Sequence, residues 1–254
     1  MLNVHPQTFF VVTLVLLVLG AQLGSYLGRR RGDWTEEESA AYKTIEGSVL
    51  ALLGLLLGFS FAMGVSRYDL RKSLEVAEAN DIGTTWLRTA TLAEPERMAE
   101  QELLREYVPV RLAFLRAGTS QQRIDESIAR AGAMQTRMWA IASGYASTHK
   151  DPVTALFLSS LNSTIDVSEE RTAALENRIP VSAWLMLLFI GLVSSILVGF
   201  ETGSRWFVLK LVLPVVVAAA LSLTFDLDSS RSGFIRVEQR SMERVAAAVA
   251  GSRP

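Results

Sequence analysis

The chain has 254 residues, half of them apolar, with no cysteine and with 25 basic against 26 acidic side chains for a net charge of −1. That balance argues against a nucleic-acid partner, and the missing thiols remove disulfides, thiolate nucleophiles and cysteine-held metals. So large an apolar share, with a positive mean hydropathy, sets aside an ordinary soluble domain.

Pro6 to Gly28 runs 23 residues without a formal charge. No Lys or Arg precedes it, it outruns the roughly 7–15-residue core of a signal peptide, and no clean small-residue cleavage site follows. It reads as a retained first span. The linker RRRGDWTEEESAAYKTIEG leads into a second run of 20 residues, Gly47 to Ser66. Ile179 to Phe200 adds 22, and Trp206 to Phe225 adds 20, broken only by Lys210, whose ammonium can snorkel to the headgroups. A membrane helix takes roughly 20 such residues. Four soluble core helices of this length would leave too little polar surface to cover them. The expectation is an all-α integral membrane protein with four transmembrane helices and a helical cytoplasmic domain between the second and third.

The polar middle is rich in Glu, Ala, Leu and Arg and has no alternating β-branched run long enough for a sheet. No Gly or Pro interrupts Val65 to Ile82, so the second span is expected to continue unbroken into this region. Pro95 suits the first turn of a new helix, Pro109 is expected to bend or end one, and Asp151-Pro152 reads as an N-cap with the first helical residue. The resulting division is 1–66 first transmembrane hairpin, 67–178 helical cytoplasmic domain, 179–225 second hairpin and 226–254 cytoplasmic tail. Arg67, Arg71, Lys72, Arg171, Arg178, Arg231, Arg236, Arg240 and Arg244 favour a cytoplasmic middle and termini, against Arg29, Arg30, Arg31, Lys43 and Arg205 on the opposite side, where the Arg29–Arg31 triplet counts against this orientation. The location expected is the cell inner membrane, multi-pass.

In SVLALLGLLLGFSFAMG, Gly54 and Gly58 with Ala62 one turn later form a small face for close helix approach. They serve either as a packing seam between hairpins or as a contact about an oligomer axis. In the second case Leu55, Phe59 and Met63, at four-residue spacing, form an apolar constriction. One copy of four helices is too small to enclose an aqueous path, so any pore needs several chains.

Further on, Glu78, Asp81, Thr85 and Arg88 share one helical face, with Val76, Ala79, Gly83, Leu87 and Ala90 on a small apolar one. Glu78 and Asn80, together with Asn162, Asp166 and Arg171 in SLNSTIDVSEER, are candidates for a buried polar lock between the first and last helices of the middle domain. The last apolar run ends on Asp226 and Asp228. Two aspartates beside Ser229 and Ser230 cannot cage a divalent ion alone, so the preferred reading is a junction clasp, by helix capping or by pairing with Arg231, Arg67 or Arg71. His5 and His149 form no ligand motif, and there is no phosphate loop, nucleophile elbow or triad spacing. No enzyme activity, metal or cofactor is expected.

The ordered segments ALLGLLLGFSFAMGVSRYDLRK, EANDIGTTWLR, LLREYVPVRL, SLNSTIDVSEER, NRIPVSAW and FDLDSSRSGFIRVEQ resemble a bacterial family of bestrophin-like membrane proteins, most clearly over 49–239. The resemblance implies a homo-oligomer in the lipid bilayer, a second span lining a pore neck, and conduction of a small inorganic anion. The chain departs from bestrophins in lacking a run of consecutive acids after the last span, where a calcium clasp would lie. The leading expectation is an oligomeric ion channel. The alternative is a membrane-anchored scaffold or sensor that binds a partner through its helical middle.

Overall fold

The computed structural model describes residues 5–31, 34–202 and 207–251. Asp33, Arg205 and the Trp206 start of the fourth apolar run lie outside them. Every regular element among the described residues is helical: α1 Pro6–Arg31, α2 Glu36–Arg88, α3 Glu96–Arg116, α4 Gln121–Thr148, α5 Pro152–Glu176, α6 Val181–Thr202, α7 Phe207–Asp228 and α8 Arg240–Gly251, with a 3-10 turn at Thr89–Thr91. Four of the described helical stretches are long and apolar enough to cross a bilayer, in α1, α2, α6 and α7. The chain is an integral membrane protein with four transmembrane helices. It divides into two compact units, Met1–Tyr68 with Arg178–Arg236, and Asp69–Asn177 with Val237–Pro254. α2 supplies residues to both without a break.

The first unit is built on α1, which packs along α6 and α7. Leu17, Leu187, Val217, Ala218 and Leu221 form its core. Helices approach closely in lipid only where side chains are small. Here Gly20, Gly24 and Gly28 of α1 meet α6: a methyl at Gly20 would lie 2.6 Å from Leu192 Cδ1, and one at Gly24 or Gly28 would fall on the carbonyl of Ile196 or Phe200. Gly199 returns the contact, since a methyl there would strike the Ala21 carbonyl. Ser25 Oγ, fully buried, donates to the Gly199 carbonyl at 2.9 Å across the seam.

The second unit closes around Leu103, Leu104, Tyr107, Met138, Phe157 and Leu161, contributed by α3, α4 and α5. Asp151 caps α5 as expected, accepting from the Val153 and Thr154 amides at 2.9 and 3.0 Å. Pro109 does not end its helix: α3 passes through it and stops at Ala117, before Gly118, whose φ of 60° breaks the chain direction. The C-terminal segment joins this unit from Val237 on, with α8 lying on α3. Glu75 accepts from the Ser241 and Met242 amides at 2.7 and 3.0 Å, a carboxylate at the electropositive start of α8.

Candidate pore-lining face and its supporting junctions

Within the first unit α2 presents two sides. Leu53, Ser60 and Gly64 recur at helical spacing and are buried, with Gly64 against Thr224 and Leu227 of α7. The opposite side carries all six residues singled out from the sequence. Leu55 is 54% exposed, Phe59 59% and Met63 41%, and Ala62 is also exposed. A methyl placed on Gly54 or Gly58 would meet nothing within 4 Å. Among the described residues the Gly54–Gly58–Ala62 row is therefore no seam between hairpins of one chain. The intramolecular glycine seam is Gly20–Gly24–Gly28, which the same four-residue spacing in LGAQLGSYLG announces and which sequence reasoning passed over.

At the end of α7 the two aspartates are buried and separately occupied. Asp226 accepts the amides of Phe234 and Ile235 at 2.7 and 3.0 Å, closing the reversal after the helix. Gly233 is required there because a methyl on it would collide with the Asp226 carboxylate. Asp228 accepts the Ile179 amide at 3.0 Å ahead of α6 and pairs with Arg67 at 3.4 Å. Arg67, one of the three arginines weighed for this junction, pairs with Asp228. No group of three or more His, Cys, Asp or Glu side chains able to hold a metal occurs among the described residues.

The polar lock in the second unit differs from its expected membership. Glu78 is fully buried and forms ion pairs with Arg171 and Arg111 through its two oxygens. Arg111 also donates to the Ser168 carbonyl at 3.1 Å, and Arg171 donates to Gln239. Burial works against the Arg111 charge, but the Glu78 carboxylate, with smaller help from Tyr107 and Glu169, holds the guanidinium above its ordinary pKa. Gln135 extends the network to Tyr107 at 2.9 Å and Ser168 at 2.7 Å. Asn80 is exposed and takes no part, and Asn162 and Asp166 bond each other at 2.6 Å on an exposed face. Two contacts at one-turn spacing suit a solvent face as well as a core, and here solvent won.

The apolar face assigned to 76–90 is buried only in part. Ala79 is in the interior and Gly83 is half-buried, but Val76, Leu87 and Ala90 are exposed, and Glu78, Ile82, Thr85 and Thr89 are buried beside Ala79, with Thr85 bonded to Thr164 at 2.8 Å. Arg111 and Gln239 were missed because each lies far along the chain from Glu78.

Glu100 has no such partner. It is fully buried on α3, and neither carboxylate oxygen has a hydrogen bond from the described residues. Burial pushes its carboxyl up to about 8.

The fold and these junctions define a four-span helical membrane protein with a polar-locked bundle beyond its second span. The Bestrophin-like domain matches residues 12–242, and the chain belongs to that family. Among solved structures it is similar to a bacterial bestrophin homologue from Klebsiella pneumoniae, at 16% identity and a TM-score of 0.67, covering 96% of this chain and 99% of that one. Two variants of that homologue also match. One carries an isoleucine-to-threonine substitution (15% identity, TM-score 0.65, 95% and 99% covered) and the other an aspartate-to-alanine substitution (12%, 0.68, 95% and 96%). At such identities the likeness is one of fold. No curated protein sequence matches.

Proposed function

We propose that the chain assembles as a homo-oligomeric channel of the cell inner membrane for small inorganic anions, with α2 lining the path. The observation that carries this reading is the outer side of α2. Two glycines and an apolar stripe lie bare there, at bilayer depth, in a protein whose other glycine ridge is filled. Copies of α2 packed through Gly54, Gly58 and Ala62 would turn Leu55, Phe59 and Met63 toward a shared axis, narrowing it and resisting wetting. No charged residue lies between Gly47 and Ser66, so this neck would gate by wetting rather than by a charged ring. Family membership supports the channel reading and suggests the anion.

The test is ion flux from liposomes beside the mass of the assembled protein. Phe59→Ala should raise flux severalfold with mass unchanged. Correctly assembled wild type that passes neither anions nor cations across pH, voltage and calcium would transfer the case to a partner-binding scaffold. That second reading has one observation in its favour: Leu87 is 73% and Leu156 54% exposed, with Arg88 bonded to the Leu156 carbonyl at 2.6 Å beside them.

The proposed orientation keeps the termini and residues 69–177 cytoplasmic, in line with the basic residues flanking the spans. Glu37→Cys should then react with an impermeant thiol reagent from outside and Gln122→Cys should not. The opposite pattern inverts the topology.

A further inference from the structure

In the first unit a cavity of about 150 Å³ opens between the start of α1, the start of α6 and the end of α7. Its walls are apolar and largely aromatic. Phe9 stacks on Phe225 with ring centroids 4.4 Å apart, and Trp184 meets both edge-on at 5.5 and 5.6 Å. Leu188 completes the wall, while Val181 and Leu185 form an edge that is 57% and 62% exposed. Two charged groups line the cavity, and they differ. Asp228 is engaged by Arg67 and the Ile179 amide. Arg178 is half-buried and makes no ion pair or hydrogen bond with the described residues.

We propose that this cavity seats an anionic phospholipid, with its phosphate on the Arg178 guanidinium and the upper part of one acyl chain against Trp184, Phe9 and Phe225. Three features converge on that occupant. The unmatched charge at the mouth is positive, and a guanidinium matches phosphate geometry with paired donors. The cavity is well below the roughly 300–1,000 Å³ that encloses a drug-sized ligand, so it takes part of a molecule whose remainder lies outside. Finally, Arg178 directly precedes an apolar run and Phe225 ends another, which places the mouth where headgroups give way to acyl chains. A free fatty acid offers the same chemistry, an anion on an alkyl chain, but its head would compete with solvent at a site shaped to continue into bilayer.

Trp184 supplies the readout, because brominated acyl chains quench indole fluorescence on contact. The full-length protein is placed in vesicles containing increasing fractions of brominated phosphatidylglycerol, brominated phosphatidylcholine or brominated stearate. Trp184→Phe, measured alongside, gives the signal of the other four tryptophans. Phosphatidylglycerol should quench the Trp184 component at about fivefold lower mole fraction than phosphatidylcholine, the preference one basic residue gives at an anionic surface. Arg178→Gln should abolish that preference while leaving quenching by phosphatidylcholine in place. Val181→Phe, a change at an exposed edge, should fill the cavity and weaken quenching by both phospholipids. Equal quenching by the two phospholipids in wild type would reduce the site to ordinary annular contact and overturn the proposal. So would a preference that survives Arg178→Gln, or Arg178-dependent quenching by stearate alone. Unchanged circular dichroism and mass for each variant tie the result to the site.

Discussion

Two helices of the first unit carry glycines at four-residue spacing, and only one of the rows is used within the chain. On α1 the row Gly20–Gly24–Gly28 lies against α6: Gly24 and Gly28 meet its backbone so closely that no methyl fits, and Gly20 meets the Leu192 side chain. On α2 the row Gly54–Gly58 meets nothing within 4 Å. The spacing is the same, and the difference lies in what the fold brings opposite. Small-residue rows mark where a helix can be approached; whether the visitor is the same chain or another copy is decided by the remaining faces. α2 spends its Leu53–Ser60–Gly64 side on its own unit and so keeps its glycines outward.

The sharpest way to break that contrast is to fill each row with the same side chain. Gly24→Leu should prevent the first unit from forming, because the Ile196 carbonyl occupies the space the side chain needs. The expected outcome is aggregated or degraded protein with no cooperative melt. Gly58→Leu should fold with wild-type helix content and lose only assembly, seen as monomer mass in mild detergent. If both variants fold and assemble, neither row is a contact. If both fail to fold, the α2 row serves the chain itself.

A smaller effect tests whether α2 is held by its buried side beyond the membrane segment. Arg171→Ala leaves Glu78 with Arg111 as its one remaining ion-pair partner. Removing one member of a buried ion network costs about 3–5 kcal/mol, so the melting temperature should drop by several degrees while the mass of the assembly is kept. An unchanged melt would mean that solvent reaches the cluster.

The smallest expected effect concerns Glu100, an interior position left without a partner in the second unit. Its folded carboxyl, pushed up to about 8, lies above the ordinary 4.5. The folded state therefore favours the neutral form, and this contribution to stability is full below pH 4.5 and is lost as pH rises through 8. Melting temperature should fall across that window in wild type and fall less in Glu100→Gln. Identical pH profiles would indicate that the carboxylate finds a partner when it ionises.

The spans were legible because bilayer thickness imposes a length that charge-free runs reveal directly. The continuity of α2 was legible from the absence of Gly and Pro between Val65 and Ile82. Side assignment was harder. The outward Gly54–Phe59 side and the buried Glu78–Arg171 pair were picked out by spacing and residue type, yet Asn80, Asn162 and Asp166 satisfied the same criteria and face solvent. Periodicity names a face without naming its neighbour. Long-range partners such as Arg111 and Gln239 for this network carry no local signature at all.

Asp226 bears on how acids at the end of a span are understood. Its two oxygens each receive one backbone amide, from Phe234 and Ile235. An asparagine, the same in outline, would bring a single acceptor and point hydrogens at an amide that is itself a donor. What the position requires is a pair of lone-pair-bearing atoms, and the negative sign comes along with them. A carboxylate used in this way is a piece of chain geometry and no beacon for cations. This fits the fact that rules of membrane orientation count lysines and arginines and give aspartates little weight.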